Sequence, residues 1–154
     1  MATVILASYA LVLALLLLAS FKFKESSAAI WFLRLLLFGM CYDNLLQAMG
    51  PYFIDASWYL PLNYPRYVLH AAVLPFLTLY ALFIMRSAGI KLAENSLFQA
   101  FCILFTVASL AYGLWHEVFL LELVSSDKLG HAKLVSASNA PPLATILTNV
   151  LVMA

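Results

Sequence analysis

Charge is scarce in this chain. Of its 154 residues only 10% are Asp, Glu, Lys or Arg and 66% are hydrophobic, whereas soluble domains carry about 25% charged residues. The shortage runs along the whole length, which argues against a water-facing globular fold and makes a bilayer the natural solvent. A net charge of +1 is too small to mark nucleic acid or an acidic partner, so no nucleic-acid partner is expected. Cysteine is limited to Cys41 and Cys102, both inside apolar runs; they read as buried thiols rather than as a disulfide or a metal pair. There is no HExxH, no CxxC, no internal repeat and no low-complexity tract. No Lys or Arg precedes the first apolar run. That run therefore reads as a retained helix rather than a cleaved signal peptide, which begins with a basic leader and carries a shorter core.

What the chain does have is apolar runs. Their boundaries fall at about 4–21, 28–49, 67–85, 95–122 and 141–154. The first, Val4–Phe21, covers about 27 Å as a helix, close to the ~30 Å hydrocarbon core. The predicted fold is all-α, a polytopic transmembrane helix bundle of four complete spans and a partial fifth in one membrane domain, residues 1–154. Ser26 or Ser27 can cap the second span. Arg34 lies in its second turn and can snorkel back toward Lys22 and Lys24. Gly50-Pro51 is expected to close it, because helices seldom continue into the residue before proline. Tyr52–Arg66, with Trp58, Tyr59, Tyr64, Pro61 and Pro65, reads as an aromatic segment at headgroup level. Pro75 is expected to kink the third span. Ser125–Asn139 reads as a polar loop. Leu143–Ala154 would cover about 18 Å, short of the core. The expectation is a piece of a longer protein whose further helices complete the bundle, and the alternative is a short terminal helix buried against its neighbours.

Alternating loops place Lys22, Lys24, Arg86 and Lys91 on one side, with Arg34 nearby, and Arg66, Lys128 and Lys133 on the other. The positive-inside rule then makes the N-terminus non-cytoplasmic. The same parity brings three polar helix ends to one face. Asp43, Asn44 and Gln47 end the second span, Arg66 and His70 open the third, and Tyr112, His116 and Glu117 end the fourth. Polar groups in spans are costly and usually face a partner or a cavity. Asp43 and Gln47 share a helix face at four-residue spacing, as do Arg66 and His70. Ser109, Tyr112 or Gly113, and His116 follow one stripe. These residues are the candidates for a polar pocket in one leaflet that binds a small molecule or a lipid.

Other readings stay open. Asp43 with Arg66 can be an ion pair that only holds the bundle together, as in a structural or assembly subunit. Asp43, His70 and His116 are chemically suited to hold a metal, which would make an intramembrane metal-dependent hydrolase. His70 and His116 also suit the axial pair of a b-type haem. No cofactor follows from the residues alone. Expected partners are membrane lipid, another membrane protein, or further helices of the same chain. Tyr42-Asp43-Asn44 followed by Gly50, Tyr64-Pro65-Arg66-Tyr67-Val68-Leu69-His70 with Pro75, and Pro141-Pro142-Leu143 together resemble an uncharacterised family of multi-pass integral membrane proteins. The resemblance covers Tyr42 to Leu143. It implies a membrane architecture and a site at Asp43, Arg66 and His70, without an activity.

Overall fold

The computed structural model describes residues 1–23, 27–128, 130–137 and 143–153. The fold is all-α, with one small β-hairpin. In chain order the elements are α1 (Ala2–Ser20), α2 (Ala28–Phe53), α3 (Tyr59–Val73), a 3₁₀ turn (Leu74–Phe76), α4 (Leu77–Ser87), α5 (Lys91–Glu94), α6 (Ser96–Leu114), a π-helical turn (Trp115–Phe119), strands β1 (Leu123–Lys128) and β2 (His131–Ser136), and α7 (Leu143–Met153). Four helical stretches are long and apolar enough to cross a membrane: Ala2–Ser20, Ala28–Phe53, Tyr59–Ser87 and Ser96–Phe119. They fit a membrane-embedded protein. Few of their residues are buried within the chain, and large apolar side chains such as Leu15, Phe38, Leu104 and Val107 point outward. The chain divides into two compact units, Met1–Tyr67 with Leu121–Asn139, and Val68–Leu120 with Ala140–Ala154.

In the first unit α1 packs on α2. Ser27 caps α2 by accepting the Ile30 N–H at 3.3 Å, a contact of a kind that contributes about 1 kcal/mol; Ser26 lies outside the described residues. Arg34 folds back to the end of α1. Its Nη2 donates to the Ser20 carbonyl at 2.8 Å, and its guanidinium lies over the Phe21 and Trp31 rings at 4.4 and 4.8 Å. A cation at a helix C-terminus meets carbonyls that have no partner inside the helix. Further along α2, the Cys41 thiol donates to the Ala10 carbonyl of α1 at 3.3 Å.

Two boundaries differ from the sequence expectation in this unit. First, α2 does not stop at Gly50-Pro51 but runs to Phe53. Proline removes one helical hydrogen bond, the one its missing N–H would make to the carbonyl four residues back. That carbonyl belongs to Gln47, and it accepts from His131 Nε2 at 3.0 Å instead. Second, the third span begins at Tyr59, well inside the segment expected at headgroup level. Pro61 stands in the first turn, where backbone N–H groups have no helical partner to lose. Pro65 forfeits only one bond.

The expected polar loop contains an antiparallel hairpin. Leu123 pairs with Ser136 and Lys128 with His131. Gly130 supplies the positive φ of 68° in the turn, a conformation that costs glycine nothing. β2 packs on α2. Leu134 joins a core with Leu46 and Tyr59, and a Cβ placed on Gly50 would collide with the Ala132 carbonyl oxygen.

In the second unit the expected kink is a 3₁₀ turn around Pro75. The interior is lined by small side chains. Cys102, Thr106, Ser109 and Gly113 form the buried stripe of α6, at three- and four-residue steps. Gly113 allows a close approach, since a Cβ there would lie 3.3 Å from Ala71 Cα. This is the pattern of helices packing in lipid, with small residues at the contacts and large apolar ones outside. The fourth span starts at an Asn95 cap, which accepts from Leu97 N at 2.8 Å, and ends in the π turn. α7 packs against α4 and α6. It covers Leu143–Met153 only; Pro141 and Pro142 lie outside the described residues.

Candidate functional site

The eight candidate residues fall into two groups of four, one in each unit. Asp43, Asn44, Gln47 and Arg66 belong to the first unit, and His70, Tyr112, His116 and Glu117 to the second.

The first group is a closed polar cluster. Arg66 Nε donates to Asp43 Oδ1 at 2.7 Å, with side chains only 8% and 16% exposed. Gln47 Nε2 donates to the other carboxylate oxygen at 2.8 Å. The Asp43/Gln47 spacing makes this bond, since residues four apart share a helix face. Arg66 Nη1 donates to Asn63 Oδ1 at 2.6 Å, and Asn63 Nδ2 in turn donates to the Tyr59 carbonyl at 2.8 Å. Tyr59 and Tyr42 add two bonds between α2 and α3, from Tyr59 Oη to the Leu46 carbonyl and from Tyr42 Oη to the Leu62 carbonyl, both 2.7 Å. Asn44 turns away and donates to the Met40 carbonyl of its own helix at 2.8 Å. Both oxygens of Asp43 are therefore held.

Two members of this cluster, Tyr59 and Asn63, were missed as site residues by sequence reasoning, and His131 was placed on the same face by its loop but without its contacts. Tyr59 and Asn63 are fully buried. Both stand at helical spacing from Arg66, and that signal could have found them once α3 was known to begin at Tyr59. His131 is 7% exposed; its second ring nitrogen, Nδ1, lies 3.4 Å from Thr3 Oγ1. With Nε2 on the Gln47 carbonyl, it ties the hairpin to α1 and α2.

The second group is different. His70 and His116 both lie close enough to Glu117 to act on its charge. The Tyr112 ring packs on the His116 ring at 4.4 Å between centroids. His116 and Glu117 sit in the π turn, closed by the Leu120 N–H on the Trp115 carbonyl at 3.1 Å. Such turns are rare inside α-helices and occur frequently at functional sites. Glu117 Oε1 is buried and has no hydrogen-bond partner among the described residues, and the same holds for Thr78 Oγ1 and Thr148 Oγ1. All three orphaned atoms belong to this unit. A buried polar atom without a partner costs about 1–3 kcal/mol.

Of the residues suited to a metal, Asp43 stands in the first unit and His70 and His116 in the second. Among the described residues no three His, Cys, Asp or Glu form a group able to hold a metal ion. No family model, curated protein or solved structure matches the chain.

Proposed function

We propose that the chain is a multi-pass integral membrane protein whose working site is the Glu117, His70, His116 and Tyr112 cluster of the second unit, where it binds a small polar molecule or a lipid headgroup. The observation that carries this reading is the buried Glu117 Oε1, without a hydrogen-bond partner among the described residues. A carboxylate oxygen in that state accepts a hydrogen bond from any donor that enters, and intramembrane ionisable groups usually mark such paths. The neighbouring imidazoles can give or take a proton, which suits acid–base work on the same ligand. The Asp43 cluster serves as a brace between α2 and α3, because its groups are engaged with one another. The N-terminus lies on the non-cytoplasmic side. Supporting this, the side of Lys22, Lys24, Arg86 and Lys91 carries more basic residues than the side of Arg66, Lys128 and Lys133.

The test is purification of the full chain, of Glu117→Gln and of Asp43→Asn in mild detergent, followed by mass spectrometry of what each retains. The expected result is a small molecule or lipid retained by the wild type and lost from Glu117→Gln at unchanged helicity. Equal retention by Glu117→Gln and wild type would overturn the reading. An absorption spectrum and a metal assay on the same samples decide the haem and metallohydrolase alternatives. A Soret band lost in His70→Ala and His116→Ala would establish haem, and stoichiometric metal without that band would establish a metal centre.

A further inference from the structure

The second unit carries an open cleft of about 680 Å³ between α4 and α6, within the size range of small-ligand sites. Its walls are apolar: Leu79, Leu82 and Phe83 from α4 and Ile103 from α6. One end is polar, with Arg86, Ser87 and Gln99. Two of these three are already engaged. Ser87 Oγ donates to the Phe83 carbonyl at 3.0 Å, and Gln99 Nε2 donates to the Ala93 carbonyl at 2.9 Å. Arg86 is exposed and has no hydrogen bond or ion pair among the described residues. Its five N–H donors therefore face outward at the mouth of an apolar groove. Lys91, also exposed, opens α5 five residues later. From Leu79 to Ser87 the groove follows about 12 Å of helix, the length of a stretch of acyl chain.

We infer that this cleft is a site for an anionic glycerophospholipid, with the phosphate on Arg86 and one acyl chain along Leu79, Leu82, Phe83 and Ile103. Charge complementarity chooses the headgroup. The guanidinium fork fits a phosphate in bidentate geometry, and Lys91, five residues later in the chain, adds to the positive charge of this segment. The apolar wall chooses a lipid over a free anion, because inorganic phosphate would leave the groove unfilled. Anionic lipid is also concentrated in the cytoplasmic leaflet, the side to which the basic-residue count assigns Arg86 and Lys91. This inference rests on the membrane reading and not on the Glu117 site.

The experiment uses the full chain in detergent, with phosphatidylglycerol or phosphatidylcholine added at equal concentration and bound lipid counted by native mass spectrometry. The wild type is expected to retain phosphatidylglycerol preferentially. Arg86→Gln is expected to lower that preference about fivefold, the size of effect one basic side chain has near an anionic surface. Ile103→Trp, which fills the groove, is expected to lower retention of both lipids. Lys22→Gln, an exposed cation of the first unit, is expected to behave as wild type, and circular dichroism is expected to show unchanged helicity in every variant. Equal retention of the two lipids by the wild type, an unchanged preference in Arg86→Gln, or displacement of the lipid by inorganic phosphate would each overturn the site. Alkaline carbonate treatment of membranes bearing the protein separates the two failures. Release of the chain overturns the membrane reading itself, whereas a chain that stays in the membrane with no lipid preference overturns only the cleft.

Discussion

The two units treat their buried carboxylates in opposite ways. In the first, Asp43, Arg66, Gln47, Asn63 and Tyr59 satisfy one another in a continuous chain of bonds. In the second, Glu117, Thr78 and Thr148 each bury an oxygen with no partner among the described residues. Residue type alone does not separate the two, because both clusters place carboxylates beside cationic or imidazole groups. The difference lies in how many donors reach each carboxylate. Two side chains reach the oxygens of Asp43, whereas Glu117 Oε1 meets none among the described residues. A closed network resists change and specifies a packing. An open acceptor retains its capacity to bind something else.

Breaking the closed network is expected to produce the largest effect. Arg66→Leu strands Asp43 and Asn63 in the interior and is expected to destabilise the protein by about 3–5 kcal/mol, read as loss of helicity during titration with a denaturing detergent. A result below 1 kcal/mol would mean that Asp43 is already solvated, and the contrast between the units would weaken. Gly50→Val tests the hairpin docking. The added side chain meets the Ala132 carbonyl, so a cost of about 1–3 kcal/mol is expected. Faster hydrogen exchange should be confined to Leu123–Ser136 and the end of α2. Glu117→Gln is expected to stay within about 1 kcal/mol of the wild type, since no hydrogen bond to Oε1 is lost. A loss as large as that of Arg66→Leu would make Glu117 a brace as well. Thr148→Val is the smallest change. Replacing an orphaned hydroxyl by a methyl group is expected to be neutral or slightly stabilising. Thr106→Val, which removes the contacts of Thr106 Oγ1 with the Cys102 carbonyl at 2.8 Å and, across to the 3₁₀ turn, the Pro75 carbonyl at 3.4 Å, is expected to cost about 0.6 kcal/mol, a typical value for contacts between helices in membrane bundles.

The four long apolar helices were legible because their length and composition can be read from runs such as Ala2–Ser20 and Ser96–Leu114. The break in the α-helix at Pro75 was legible because a missing N–H is a local property. The Asp43/Gln47 contact was legible from its helical spacing. What escaped the sequence depends on who answers a local deficit from far away. Pro51 reads as a helix stop until His131, eighty residues later, is seen to accept the vacated role at the Gln47 carbonyl. The segment from Tyr59 reads as an interfacial belt until Tyr59 is buried against Leu46 and Leu134. The hairpin had a signal, two six-residue runs around Leu129-Gly130, but its serines and charges make those runs look like solvated loop. The division of the eight candidates between two units has no sequence signature, because parity along the chain says which end of a helix a residue occupies and not which neighbours it meets.

The most direct test of the contrast is carboxyl mapping on the folded full chain. A membrane-permeant carbodiimide adds to a carboxyl group that can carry a proton in an apolar setting. Asp43 would first have to release Arg66, whereas Glu117 Oε1 has no partner among the described residues to release. The modified carboxyls are identified by mass spectrometry after digestion, with Glu117→Gln as the control. The expected result is modification at Glu117, its loss in the control, and an unmodified Asp43. Modification of Asp43 as readily as Glu117, or an inert Glu117 in a folded chain, would contradict it.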